Sequence, residues 1–206
     1  MSAALWDWRR RVAGLYADVR ANPDPHAAWL NWRAGRDALF ATHSQTPLDG
    51  PGPALPFFGY DPALRFVVPL EPANGEPVPF DAGADGTILM RPFGRVTLGD
   101  LGSLTVFWIL GYCGGAFLPL RDATSGRETY GSGRYVLDTI KGADLGSIGN
   151  ATVVDLNFAY NPSCAYSPRY MCPLAPAGNR LTGAVRAGEK TPDIQIGSQN
   201  AARSSQ

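Results

Sequence analysis

The first part of the chain carries the apolar spacing of an amphipathic helix. Asn22 and Pro23 then mark a turn. The spacing predicts a first helix over residues 4–21. Its apolar residues recur at intervals of three and four positions and share one face: Leu5, Trp8, Val12, Leu15 and Val19.

A second helix is predicted directly after this turn. Asp24 can cap its first turn, and Pro25 suits the first helical position because proline has no N–H to leave unpaired. Helically spaced apolar residues continue to about residue 41. The tryptophans at 6, 8, 29 and 32 are expected to anchor the packing of both helices.

From residue 57 onward the pattern changes to short runs of β-branched and aromatic residues. No helix of ten or more residues is expected between these runs, so antiparallel pairing is favoured over parallel βαβ units. The fold class is therefore predicted as mainly β with N-terminal helices (α+β), an antiparallel β-barrel or curled β-sandwich packed by two helices. The predicted strands lie at 64–70, 86–91, 93–98, 103–110, 116–120, 134–140 and 152–159, with a last short one near 183–187.

We predict a single domain over residues 1–197, with helices at 4–41 and a β-rich body at 57–190. The final segment, 198–206, has no apolar residues to bury beyond alanine and is predicted to be disordered.

Composition narrows the classes of partner. The 18 basic residues balance 18 acidic ones, which argues against nucleic acid or an anionic membrane as the main partner. The longest apolar run, 104–110, is too short to span a bilayer, and charges interrupt the N-terminal segment where a signal peptide needs apolar residues. We therefore expect a cytoplasmic protein with reduced cysteines.

The stretch RDATSGRETYGSGRY, at 121–135, is a polar and glycine-rich connection between two predicted strands. As structure alone it is a long hairpin loop, in which Asp122 and Glu128 pair with neighbouring arginines. As a site, Gly131-Ser132-Gly133 could present N–H groups to an anion, with Arg127 or Arg134 adding positive charge. The two interpretations stand about equal.

A second polar pair interrupts the apolar run 152–159. In a strand, Asp155 and Asn157 point to the same side, where burial without partners would cost several kcal/mol (roughly 2–7). We therefore expect both to be hydrogen-bonded or to face a polar cavity. Such a cavity would be lined by Arg134, Tyr135, Asp155 and Asn157, with Tyr130 and Tyr160 at its rim.

Cys164 and Cys172 flank a loop rich in tyrosine and proline. Buried thiols that only pack, a redox or disulfide pair, a zinc pair and a nucleophilic cysteine all stay open. The spacing is wider than the usual zinc pair, and neither His26 nor His43 can be placed beside a cysteine from sequence. No metal site is predicted, and the cofactor is left open.

Three motifs together resemble an uncharacterised family of bacterial and archaeal proteins, catalogued as a domain of unknown function. TSGxETYGxGRY covers 124–135, DxNxAYNPxCAY covers 155–166, and CPL and NRL stand at 172–174 and 179–181. The chain departs from the family pattern at Ser132, where glycine is usual, and at Leu156, where phenylalanine is common. The resemblance implies that these stretches form one shared feature. It implies no activity.

The leading functional prediction is binding of a small polar or anionic molecule in a β-barrel pocket. An enzyme at the same site is the first alternative, and a structural polar network with a protein-interaction function is the second. The oligomeric state is left open. The candidate catalytic residues are Glu128, Asp155 and Cys164, and the candidate ligand-binding residues are Arg127, Tyr130, Arg134, Tyr135, Asp155, Asn157, Tyr160 and Asn161.

Overall fold

The computed structural model describes residues 2–50, 54–81, 86–112 and 114–193. The predicted disordered tail at 198–206 and the third cysteine, Cys113, lie outside these residues.

Both predicted helices are confirmed. Helix α1 spans Ala3–Ala21 and helix α2 spans Pro25–Thr42. The side chain of Asp24 accepts hydrogen bonds from the first free N–H groups of α2, as a capping residue should. No helix in the described part of the chain is long and apolar enough to cross a membrane, and the cytoplasmic location stays a prediction.

The two helices pack closely through small and aromatic residues. Trp29 and Trp32 of α2 are buried as predicted, but the prediction for Trp6 is wrong, because this side chain is 65 % exposed. Gly35 of α2 faces Leu15 of α1, and a Cβ at this position would collide with the Leu15 side chain. The helical glycine that weakens α2 locally therefore permits the close helix–helix contact.

Two antiparallel sheets follow the helices. The six-stranded sheet has the order β2-β4-β5-β6-β7, with β3 also pairing to β4, and the three-stranded sheet has the order β1-β9-β8. The strands are β1 (Arg65–Pro69), β2 (Glu71–Pro72), β3 (Val78–Asp81), β4 (Thr87–Thr97), β5 (Ser103–Ile109), β6 (Gly115–Leu120), β7 (Arg134–Asp138), β8 (Ser147–Ile148) and β9 (Ala151–Asp155).

The predicted α+β class is confirmed, and of its two alternatives the sandwich fits. Among the described strands the sheets do not close into a barrel. The strands predicted at 86–91 and 93–98 are one long strand, β4, whose register with β5 shifts between Pro92 and Gly94. Such a bulge bends a strand without ending it, which is why the proline and glycine misled the sequence prediction.

Two other strand predictions are wrong, one at its C-terminal end and one entirely. The strand predicted over 152–159 stops at Asp155, because the Asp155 side chain caps a short 3₁₀ turn at Leu156–Phe158. The strand predicted near 183–187 is instead an irregular chain. Residues 183–190, here called the closing segment, run through the interior, where Val185 and Ala187 are completely buried.

The core lies where the helices, both sheets and the closing segment meet. Its main cluster draws on every one of these parts, including Trp32, Leu118, Val136, Val154 and Val185. The closing segment is held there by backbone pairing. The N–H of Glu189 donates to the carbonyl of Ala159 at 2.8 Å, and the N–H of Phe58 donates to the carbonyl of Gly188 at 3.0 Å.

Gly188 is the residue that lets the closing segment approach the 3₁₀ turn. It has φ of +74°, and a Cβ would collide with the carbonyl oxygens of Ala159 and Leu156. We predict that Gly188→Ala lowers the free energy of unfolding by about 2–5 kcal/mol, through left-handed strain and overpacking together. Urea denaturation measures the loss.

Gly149 supplies the matched control. Its φ of +57° is also left-handed, but a Cβ would meet no atom within 4 Å. Gly149→Ala should therefore cost only about 1–2 kcal/mol, the strain alone. Equal losses for the two variants would contradict the close approach at Gly188.

Candidate functional site

The polar stretch after β6 folds so that its charged ends meet inside the protein. Nη2 of Arg134 donates to Oδ2 of Asp122 at 2.9 Å, and neither side chain is more than 1 % exposed. Oδ1 of Asp122 accepts from the N–H groups of Thr124 at 2.7 Å and Val185 at 3.2 Å. The ion pairing that the sequence left as one alternative for Asp122 is present.

The other contacts of Arg134 go to the closing segment. Its terminal nitrogens donate to the carbonyls of Val185 at 3.0 Å, Glu189 at 3.3 Å and Ala187. Burial lowers the pKa of Arg134, and the charge of Asp122 opposes this effect. A predicted ligand-binding residue is thus occupied with protein acceptors.

The closing segment carries a buried carboxylate of its own. Oε2 of Glu189 accepts from Nη2 of Arg36 at 3.1 Å and from the N–H of Asn161 at 3.0 Å. Its Oε1 accepts from the hydroxyl of Tyr166. Burial alone would lower the pKa of Arg36, but Glu189 together with the neighbouring tyrosines raises it overall. Glu189 therefore joins helix α2 to the loop after the 3₁₀ turn.

Asn157 also has a structural set of partners. The Asn157 side chain exchanges two hydrogen bonds of 2.8 Å with the backbone of Asp61. The backbone carbonyl of Asn157 accepts from the indole N–H of Trp29 at 2.9 Å. Its N–H and Nδ2 both donate to Oδ1 of Asp155, at 3.0 and 2.8 Å. Asp155 and Asn157 are therefore hydrogen-bonded, which is one of the two outcomes expected from the sequence, but they do not share a strand face because Asn157 lies in the 3₁₀ turn.

Asp155 differs from Asp122 and Glu189 because one of its carboxylate oxygens has no hydrogen bond within the described part of the chain. The side chain is 1 % exposed, yet Oδ2 has no hydrogen-bond partner of normal geometry among the described residues. Nε of Arg65 lies 3.7 Å away, which is an ion-pair contact but too long for a hydrogen bond.

Asp155 lines a cavity of about 290 Å³. The cavity lies between the end of α1, the turn into α2, and the three-stranded sheet. Two arginines, Arg20 and Arg65, contribute to its wall together with Asn22 and Ile148. Arg20 is held in place by a 2.6 Å hydrogen bond from Nη1 to the carbonyl of Asp144. The cavity wall therefore combines apolar residues with two arginines, and one of these arginines contacts Asp155.

Burial raises the pKa of Asp155 to about 6. The hydrogen bonds from Asn157 and the nearby Arg65 and Tyr60 lower the pKa, but they do not cancel the effect of burial. Asp155 is therefore a carboxyl group that changes its charge close to neutral pH.

The cysteines lie together with two of the predicted tyrosines. The N–H of Cys164 donates to Sγ of Cys172 at 3.3 Å, and the hydroxyl of Tyr130 donates to Sγ of Cys164 at 3.7 Å. Both cysteines are free thiols. The hydroxyl of Tyr135 donates to the carbonyl of Pro173, in the same loop. The hairpin and the cysteine loop are thus brought together, as the sequence predicts.

The remaining candidates lie elsewhere. Arg127 is exposed, and Glu128 accepts two hydrogen bonds from Nε of the exposed Arg186 at 3.0 and 3.1 Å. Tyr160 packs its ring against Tyr135, and Asn161 donates from Nδ2 to the carbonyl of Lys190 at 2.7 Å. The predicted set therefore divides into a buried network around Arg134 and Glu189, the Asp155 cavity, the thiol pair and a surface ion pair.

Sequence reasoning missed four residues that shape these places: Arg20, Arg36, Arg65 and Glu189. A signal existed for Arg36, since it stands four residues from both Trp32 and Phe40 on the apolar face of α2. A charge in the middle of such a face requires a buried partner. The partner itself could not be identified from local sequence.

We predict that Arg134→Ala lowers the free energy of unfolding by about 3–5 kcal/mol, because it leaves Asp122 buried without its cation. Chemical denaturation measures the loss. Arg186→Ala is the matched control, since it breaks a solvent-exposed arginine–carboxylate pair and should cost at most about 1 kcal/mol. A small loss for Arg134→Ala would contradict a structural role for the pair.

Among the described residues, no group of three or more His, Cys, Asp or Glu side chains is placed to hold a metal ion. The comparison with curated proteins found no match.

The fold and the sequence both have a relative of known structure. The chain is similar to an uncharacterised protein of Haloarcula marismortui, whose structure was determined by solution NMR. The two are 30 % identical, with a TM-score of 0.53, and the similarity covers 77 % of this chain and 90 % of that protein. Residues 53–190 also match the family model described as protein of unknown function (DUF1684). The resemblance inferred from the motifs is confirmed, and the chain belongs to the DUF1684 family.

Proposed function

We propose that the protein binds a small polar molecule in the cavity at Asp155. The observation that carries this proposal is a side chain that is 1 % exposed and belongs to a residue lining that cavity, and whose Oδ2 has no hydrogen bond from any residue the structure describes and only a long ion-pair contact with Arg65. The earlier prediction of a pocket shared by Arg134 and Asp155 is thereby narrowed to Asp155 alone. Arg134 is already engaged by Asp122 and the closing segment.

An unsatisfied buried acceptor is costly, and folded proteins seldom keep one without a reason. The typical cost is about 1–3 kcal/mol, and it is larger for a charged group. A hydrogen-bond donor on a bound molecule would satisfy Oδ2 and recover that energy. The raised pKa of Asp155 has the same physical origin, because the ionised form lacks sufficient stabilisation inside the protein.

The cavity limits the size and the polarity of the ligand. Its volume of about 290 Å³ lies at the lower end of small-molecule sites. Arg20 and Arg65 contribute positive charge to the cavity wall. Arg20 donates to the carbonyl of Asp144, and Arg65 makes an ion-pair contact with Asp155. The ligand we propose therefore carries a hydrogen-bond donor for Asp155 and an acceptor or anionic group for an arginine.

An enzyme at the same cavity is the second candidate. A carboxyl group with a pKa of about 6 can accept or donate a proton near neutral pH, which is the property required of a general acid or base. In that case Asp155 would act on a bound substrate, and the arginines would hold its negative charge.

The pKa of Asp155 gives a prediction about pH. Because the folded pKa is above the ordinary value of 3.8, the group's contribution to stability is complete below pH 3.8 and is lost as the pH rises through about 6. Asp155→Asn removes this loss. The unfolding free energy of Asp155→Asn should therefore rise, relative to the original protein, by roughly 2–3 kcal/mol between pH 4 and pH 7.

Urea denaturation of both proteins at several pH values tests this. Taking the difference between them cancels every other titrating group. A difference that stays constant across the range, or changes in the opposite direction, would show that burial does not raise the pKa of Asp155.

Binding itself is tested with a set of small fragments that carry amine, amide or carboxylate groups, screened by ligand-observed NMR. We expect members of the set to bind the original protein and to bind Asp155→Asn about tenfold or more weakly, since a charge-assisted hydrogen bond is lost. In a separate protein-observed NMR titration, the signals that shift on binding should belong to the residues around the cavity.

Asp24→Asn is the matched control. It removes a carboxylate from the turn beside the cavity, does not alter the cavity wall, and leaves an equally good capping residue. Affinity should be unchanged in this variant. If no fragment binds, or if both variants lose affinity equally, the proposal fails.

A further inference from the structure

The loop between Cys164 and Cys172 brings two thiols into contact. Cys164 is partly exposed and Cys172 is 8 % exposed. Sγ of Cys172 lies 3.3 Å from the backbone nitrogen of Cys164 and accepts a hydrogen bond from it. Cys172 is thus positioned against the residue with which it would form a disulfide.

The two sulfurs have different surroundings. The hydrogen bond from the Cys164 thiol lowers the pKa of Cys172, and the Cys164 N–H and the charge of Lys141 act in the same direction. The same thiol–thiol hydrogen bond, together with burial, raises the pKa of Cys164. One sulfur is therefore favoured as the thiolate and the other as the thiol.

The charged and titratable groups around the pair weaken this division without reversing it. Nζ of Lys141 lies 3.0 Å from a carboxylate oxygen of Asp138, so its positive charge is partly balanced. The hydroxyl of Tyr130 donates to Cys164 and lowers the pKa of that thiol, but the hydrogen bond with Cys172 and burial raise the pKa by more. Burial raises the pKa of Tyr130 to about 12 and that of Tyr135 well above its usual value, so both phenols stay neutral beside the sulfurs.

We propose that Cys164 and Cys172 form a reversible thiol–disulfide pair, with Cys172 as the nucleophile and Cys164 as the resolving thiol. The reaction partner is a small disulfide, because Cys172 is too little exposed for a disulfide on the surface of another folded protein. This site is separate from the Asp155 cavity, so the two proposals stand or fall independently.

The chemistry balances as a two-electron exchange. The Cys172 thiolate attacks one sulfur of the small disulfide, forms a mixed disulfide and releases one thiolate, which takes up a proton. Cys164 then gives up its proton, and its sulfur attacks Sγ of Cys172 and releases the second small thiolate, which takes up that proton. The protein dithiol is oxidised to an intramolecular disulfide, and one small disulfide is reduced to two thiols.

The test uses the full chain with Cys113→Ser, so that only the two thiols of interest remain, and glutathione disulfide as the probe. Denatured mass spectrometry should show the loss of two hydrogen atoms, and digestion should yield a peptide that joins residues 164 and 172. A reductant should reverse both changes. Absence of this cross-link overturns the proposal.

Two further variants in the same background assign the roles. Cys164→Ser should stop at a mixed disulfide of glutathione with Cys172, because the resolving thiol is missing. Cys172→Ser should react with glutathione disulfide at Cys164 about tenfold more slowly than Cys164→Ser reacts at Cys172, since the backbone N–H of residue 164 and the charge of Lys141 still stabilise the Cys172 thiolate, whereas burial still raises the pKa of Cys164. The reverse order of reactivity overturns the assignment.

A measurement without substitutions covers the case in which a variant does not fold. Trace alkylation of the native protein at pH 7, followed by peptide mapping, should label Cys172 faster than Cys164. In urea the two rates should become similar. If Cys164 is labelled first in the native protein, Cys172 is not the nucleophile.

Discussion

The buried guanidinium of Arg134 holds the polar stretch 121–135 and the closing segment together. A charge that is 1 % exposed is tolerated only where acceptors surround it. Asp122 supplies one, and backbone carbonyls of the closing segment supply the others. The carbonyls of Val185 and Ala187 are directed at Arg134, and residues 183–187 follow an irregular path although their composition suggests a strand.

The same segment joins the helices to the sheets. The backbone carbonyl of Glu189 accepts from Arg134, and the Glu189 carboxylate reaches Arg36 on α2 and the backbone of Asn161. One short piece of chain therefore connects the hairpin, the second helix and the loop that leads to the cysteines. The stretch 121–135 is unusually polar for a connection between two strands, mainly because it holds the closing segment.

Local signals were sufficient for the helices and for most strands, because capping at Asp24 and apolar periodicity depend only on near neighbours. They were insufficient wherever a side chain decides the path of the backbone. Asp155 ends β9 because its side chain accepts a hydrogen bond from the N–H of Asn157. The apolar run around Asp155 does not reveal that this side-chain hydrogen bond replaces further strand pairing. The partners of Arg36 and Arg134 are more than 100 and 50 residues away, respectively, at Glu189 and Ala187, so the contacts that define the network are invisible to any short window. The tyrosine and cysteine motifs were correctly expected to meet, but their meeting was implied by the family resemblance and not by spacing.

Hydrogen-bond satisfaction separates the polar groups that hold the fold from those with capacity left for chemistry. Arg134, Asn157 and Glu189 are conspicuous in sequence, yet each is engaged by protein partners. An unpaired atom alone is not a sufficient criterion, because Oδ1 of Asn161 also lacks a partner among the described residues and its amide serves only to hold Lys190. Asp155 is different in combining an oxygen without a hydrogen bond, a cavity and two arginines in one place. The thiol pair is different in having two groups that can react with each other. Chemistry is therefore best sought at these two places, where the fold leaves a polar group less than fully engaged.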